Sequence, residues 1–209
     1  GLTLILKTMK FIHSNILEKM TNPFTLATLT AFLIPVSVPP VATTPPPTKI
    51  PVIKFEKTWK CPSCSPNEKY VLAEIQKRTK ITDRNALATI LGNIKQESNF
   101  IANICEGGAR INYNQCHRGG YGLIQWTSIG RYRALGSFAR NYGCNPSTLE
   151  CQTRFMINEK TFQQYLPEFE GRGYSISQYM VPAYYWLGWG IKGNREYYSY
   201  NYSKKLVLS

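Results

Sequence analysis

The strongest constraint on this chain is a stripe of apolar side chains at helical spacing. Leu87, Ile90, Leu91 and Ile94 recur in the pattern of a helix that turns one face into a core. Local punctuation repeats the message on either side. Ser65-Pro66-Asn67-Glu68 carries a Ser cap, Pro at the first helical position and Glu three residues after the cap, so a helix is expected from there to about Thr79. The striped helix itself is expected to begin at Thr82 or Asp83. A third runs from a Thr127 or Ser128 cap through Tyr132, Leu135 and Phe138 to Gly143, which suits a left-handed C-terminal position. Ser147-Thr148-Leu149-Glu150 reads as another capping box, and Ser177 to Leu187 as a last helix. The Gly- and Asn-rich stretch from Gly107 to Trp126 interrupts this series and ends in the β-favouring run Tyr121-Gly122-Leu123-Ile124-Gln125-Trp126. The class is mostly α with a small β element.

The compact domain is expected over residues 59–209. With 43% hydrophobic and 13% aromatic residues, a chain of 209 supports one domain of roughly 100–200 residues with a true core, plus non-globular chain. Residues 1–38 hold two apolar runs, the longer being Phe24 to Val38. At 15 residues, with Pro35 inside, it is shorter than the ~20 that span a bilayer as a helix. It reads as a signal or anchor segment, or else as a virion-assembly segment. Residues 39–58 form a stiff linker, since six prolines fall between Pro39 and Pro51.

Histidine is scarce, with two in the chain, and His13 lies in the apolar N-terminal part. A zinc hydrolase built on paired histidines therefore cannot be assembled around His117, and a nucleophile triad would depend on that one ring. Carboxylate chemistry stays open. Glu97 stands three residues past Ile94 and seven past Ile90, so it continues the apolar face of its helix. Poor solvation there disfavours the ionised form and raises the pKa, as a general acid for glycosidic bond cleavage requires. The competing reading is a solvated or loop-bonded Glu at a helix end.

Two short motifs weigh on that choice. Glu97-Ser98-Asn99-Phe100 at a helix end, followed by Gly122-Leu123-Ile124-Gln125 in a β-like segment, resembles the paired elements of the lysozyme-like superfamily. The fuller pattern, Gly92 to Ser98, then Gly120 to Thr127 and Arg131, is most similar to the phage tail lysozymes, with lytic transglycosylases and goose-type lysozymes as relatives. The likeness covers about Pro66 to Lys205. It implies an α+β lysozyme-like fold in which a small β-hairpin borders a glycan cleft. It further implies Glu97 as the catalytic acid, with Ser98 helping to orient it or its loop, and Ser98, Gly122 and Gln125 on the substrate side. Tyr184 and Tyr185, in Pro182-Ala183-Tyr184-Tyr185-Trp186, resemble a cleft-lining Tyr of the transglycosylases, although the Asn of that motif is missing and both can equally be core aromatics. Gln125 lies further from Glu97 than in the transglycosylases, with Cys105 and Cys116 inside the longer loop. No motif identifies a second catalytic carboxylate; Glu106 in that loop and Asp83 are the candidates. Without one, assistance by the sugar's own groups is expected over direct attack by water.

The six cysteines, at 61, 64, 105, 116, 144 and 151, all fall in the compact part. They allow 15 connectivities. Local pairing would join Cys105 to Cys116 and Cys144 to Cys151, with Cys61 and Cys64 at the domain's edge, and would suit an oxidising compartment or a virion exterior. A zinc site on Cys61 and Cys64 would need a second close pair, and a cysteine nucleophile beside His117 would need a free thiol. No metal or cofactor is expected. A formal net charge of +13 favours an anionic polymer, while no recognisable module points to nucleic acid. The expected function is cleavage of the peptidoglycan glycan strand, as muramidase or lytic transglycosylase, by a virion tail-associated or secreted enzyme. Peptidoglycan and other tail proteins are the expected partners, and membrane contact would come only through the N-terminal segment. The alternative is a non-catalytic virion structural or glycan-binding module with the same fold.

Overall fold

A computed structural model describes residues 57–117 and 119–209. The apolar segment 1–38 and nearly all of the 39–58 linker lie outside the described residues. Seven helices follow in order: α1 (Pro66–Arg78), α2 (Arg84–Ser98), α3 (Ile129–Tyr142), α4 (Leu149–Asn158), α5 (Lys160–Phe169), α6 (Ile176–Leu187) and α7 (Arg195–Lys205). Two short strands, β1 (Trp59–Lys60) and β2 (Val207–Leu208), pair antiparallel with Trp59 opposite Leu208. The domain is mostly α with one small antiparallel sheet, and that sheet ties the start of the domain to its end.

Most helix starts follow the local chemistry. Ser65 and Glu68 form the reciprocal capping box of α1, Asp83 caps α2 through Asn85 and Ala86, and Ser128 caps α3, which ends on left-handed Gly143. At α4 the cap is Thr148, one residue later than the box pattern implied. The Ser147 hydroxyl accepts instead from the Tyr113 amide at 2.8 Å, a tertiary contact that outcompetes the local one. Residues 160–169 and 195–205, read as no element from sequence, are helices α5 and α7. In α7, REYYSYNYSKK, the buried positions include Arg195, Ser199 and Tyr202, so no aliphatic stripe advertises it.

Helix α2 is the axis of the fold, with α7 and α6 packed against it. It is buried on all sides from Ala86 to Ile94, as befits a helix enclosed by others. Its polar residues tolerate this by bonding back to their own helix. Thr89 donates to the Asn85 carbonyl at 2.7 Å and Asn93 to the Thr89 carbonyl at 2.9 Å. Gly92 is required for close approach, because a Cβ there would lie 2.5 Å from the Ser199 amide nitrogen and 2.7 Å from its Cα. The missing side chain brings α7 onto α2.

The loop from Asn99 to Ser128 closes one side of α2. The Cys105–Cys116 disulfide cross-links it, and Tyr113 stacks on Tyr132 of α3 at 4.2 Å. The β-favouring run is not a regular hairpin. Tyr121 to Trp126 is a tight turn closed by a single bridge between its ends, with Cys105 bridged to Tyr121 on the outer side. Gly122 at φ +76 and Gln125 at φ +51 bend the chain too sharply for a strand.

Candidate active site

The last turn of α2 delivers Glu97 to a cleft of about 710 Å³ lined also by Gln125, Arg131, Trp189, Ile191 and Arg195. Its side chain is 13% exposed. The row that buries Ile90 and Ile94 carries Glu97 to the edge of the core, where the helix ends and the cleft begins. The Arg195 guanidinium donates through Nη2 to Glu97 Oε1 at 2.5 Å. Two effects oppose each other at this carboxyl. Burial favours the neutral acid, while the hydrogen bond and charge of Arg195, and more distantly the charge of Arg131, favour the carboxylate. Burial prevails, and the pKa stands above its ordinary value.

The backbone around Glu97 is held under strain. The three non-glycine residues with positive φ among the described residues are Asn99, Phe100 and Gln125, and all adjoin the cleft or the helix end that forms it. Each such conformation costs on the order of 1–3 kcal/mol and persists only where its surroundings enforce it. Phe100 is anchored by burial and an edge contact with Tyr202. Gln125 is fixed by donation from Nε2 to the Gly122 carbonyl at 3.0 Å, and it lines the cleft beside Glu97.

Ser98 and Gly122, expected on the substrate side, make inward contacts. Ser98 is buried, and its hydroxyl donates to the Leu123 carbonyl at 2.7 Å, tying the end of α2 to the Tyr121–Trp126 turn. Gly122 faces inward as well: a Cβ there would meet the Gln152 side chain at 2.4 Å, and its φ demands glycine. Gly122 thus packs directly on Gln152. That fully buried glutamine accepts from the Leu123 amide and donates to the Ala102 and Pro146 carbonyls, each at 2.7 Å. A polar residue on the core-facing side of α4 was the available sequence signal for this brace.

Glu106 is exposed, accepts from the Gly120 amide at 2.9 Å and is not among the residues lining the cleft. Its carboxylate closes a loop turn. Asp83 is occupied as the cap of α2, at the far end of a 15-residue helix from Glu97. Among the described lining residues Glu97 is the sole carboxylate. Tyr184 and Tyr185 are 46% and 57% exposed, so they are not core aromatics. They stand on the outer side of α6, and Tyr184 meets the cleft only through an edge contact with Trp189 at 5.3 Å.

Glu159, which no motif marked, forms the buried polar hub behind the cleft. Its carboxylate receives Arg131 through Nη2 at 2.6 Å and Nε at 3.1 Å, and the indole N–H groups of Trp126 and Trp186 at 3.1 Å each. These partners lie 27 to 33 positions away, beyond any local pattern.

Cys61–Cys64, Cys105–Cys116 and Cys144–Cys151 are disulfides, which overturns both the cysteine-zinc reading and the cysteine-nucleophile reading, since each needs a thiolate. Among the described residues no three His, Cys, Asp or Glu side chains cluster to hold a metal, and no helix is long and apolar enough to cross a membrane.

A mostly helical domain with a partly desolvated carboxylic acid at the wall of an open cleft has the parts that acid-catalysed cleavage of a glycosidic bond requires. Residues 66–182 match the family model of the phage tail lysozymes, and the chain belongs to that family. Neither a curated protein nor a solved structure matches it. Membership gives the chain a lysozyme-like, cell-wall-acting role of the glycosidase type, with peptidoglycan as the polymer, and fits a virion-associated or extracellular protein. The match ends within α6, so Trp189 and Arg195 lie beyond it.

Proposed function

We propose that the chain cleaves the peptidoglycan glycan strand between N-acetylmuramic acid and N-acetylglucosamine, with Glu97 as the general acid, during phage penetration of the host wall. One observation carries this reading: a carboxylic acid whose proton affinity is raised by burial stands at the wall of a cleft of about 710 Å³. Glu97 gives its proton to the glycosidic oxygen as the C1–O bond breaks, which neutralises the leaving group. Gln125, on the same wall, offers amide chemistry to an N-acetyl or hydroxyl group of the sugar.

Among the described residues that line the cleft Glu97 is the one carboxylate, which favours one completion of the reaction. Both standard hydrolytic routes use a second carboxylate, as nucleophile or as base for water. Here a hydroxyl of the same sugar attacks C1 and returns its proton to the Glu97 carboxylate, leaving an anhydro end. In a turbidity assay on purified peptidoglycan the full 209-residue chain is expected to clear the suspension, and Glu97→Gln to abolish clearing while still sedimenting with the polymer. Clearing by Glu97→Gln sinks the assignment. Wild-type protein that binds without clearing favours the non-catalytic module. Mass analysis of the products separates anhydro ends from the reducing ends of hydrolysis.

A further inference from the structure

Arg195, the first residue of α7, is held from four directions. Its Nη1 donates to the carbonyls of Ile191 and Lys192 at 2.9 Å each, Nη2 donates to Glu97 Oε1 at 2.5 Å, and its Cζ lies over the Trp189 ring, 4.8 Å from the ring centre. The side chain is 8% exposed, and Nε is buried without a hydrogen-bond partner. An arginine kept in this position at the cost of an unsatisfied donor is not a solvated surface charge. Its anchorage reaches back to α2 twice, through the Gly92–Ser199 contact and through the Asn194 amide, which donates to Gln96 Oε1 at 2.9 Å.

We propose that Arg195 is the positioning residue of the acid: by occupying Glu97 Oε1 it confines the transferable proton to Oε2, and the Trp189 loop sets that orientation. This rests on the reading of Glu97 given above. A guanidinium has five donors and no acceptor, so the oxygen it contacts cannot also carry a proton toward it. The protonated carboxyl keeps its Oε1 contact as an acceptor and presents the hydroxyl from the other oxygen. Arg195 also offsets the effect of burial, so that the acid remains able to release its proton. Two charged groups act on Glu97, Arg195 from α7 and Arg131 from α3. Elsewhere around it, Lys192 is paired with Glu196, Glu68 of α1 is paired with Lys95 of α2, and α6 carries no charged side chain.

The test measures initial clearing rate against pH for the full-length wild type, Arg195→Met, Arg195→Lys and Glu97→Gln, with thermal unfolding of each. Removing the cation in Arg195→Met is expected to move the alkaline limb of the profile up by about one pH unit or more, and to lower the maximal rate on the order of tenfold. Arg195→Lys keeps a charge but loses the planar fork, so its limb stays near that of the wild type while its maximal rate falls. An unmoved limb in a folded Arg195→Met protein overturns the proposal. If that variant does not fold, Arg195→Lys decides: a wild-type maximal rate overturns the proposal, and a reduced rate at an unmoved limb supports it. Residual clearing by Glu97→Gln refutes instead the underlying assignment of the acid.

Discussion

Gly92→Ala tests whether the approach of α7 to α2 sets both stability and catalysis. Helix propensity alone predicts that alanine in mid-helix stabilises by about 1 kcal/mol. The structure reverses the sign. The new methyl carbon would stand 2.3 Å from Ser199 Oγ, 2.5 Å from its amide nitrogen and 2.7 Å from its Cα, whereas ordinary contact begins at 3.4 Å. Two of those atoms are backbone, so no rotamer change relieves the clash, and α7 must move by about 0.9 Å to bring the amide nitrogen from 2.5 Å to ordinary contact. Clashes this short against backbone put the cost in the upper part of the overpacking range, about 2–3 kcal/mol, which against the propensity gain leaves a net loss of about 1–2 kcal/mol. For a domain of this size that lowers Tm by about 2–8 °C. The same movement carries Arg195 away from Glu97, and a displacement near 1 Å at a catalytic contact can cost as much as about a hundredfold in rate. Calorimetry and the clearing assay, run on the same preparation, read both effects. A Tm equal to or above that of the wild type refutes the packing argument, and full activity at a lowered Tm refutes the coupling to the acid.

Removing the charge of Glu159 in Glu159→Gln breaks its two-pronged pair with Arg131 and weakens acceptance from two indoles, so a loss of about 3 kcal/mol is expected in urea unfolding; a loss below about 1 kcal/mol would show that the hub contributes little. The paired change Cys105→Ser with Cys116→Ser releases the loop that supports Gln125 and is expected to cost about 3 kcal/mol. Its clearing activity should fall more steeply than the folded fraction measured by circular dichroism, and equal falls would separate the loop from the site.

The legible parts of the molecule were those written by neighbours in the chain. Ser65 and Glu68, Asp83, and Ser128 with Gly143 mark helix boundaries because a cap satisfies amides or carbonyls within a few residues of itself. The row Ile90, Ile94, Glu97 places the acid at the end of a buried face by helical period alone. Helix α7 escaped because its inward positions are Arg195, Ser199 and Tyr202, residues that a hydrophobic pattern scores as solvent-facing. The sharp bend of the Tyr121–Trp126 run was not legible, because β-favouring side chains do not reveal that Gly122 and Gln125 both turn left-handed.

By itself the sequence determined a capped helical domain, cross-linkable by six cysteines, with one carboxylate at the end of a core-facing stripe. Only the tertiary structure decided what that carboxylate meets. Arg195 is 98 positions from Glu97, and the hydroxyl of Ser98 and the cradle for Gly122 are settled by Leu123 and Gln152. Such contacts follow from how closely the helices pack, above all where Gly92 admits Ser199. Close packing is a property of complementary surfaces and not of any local run of residues.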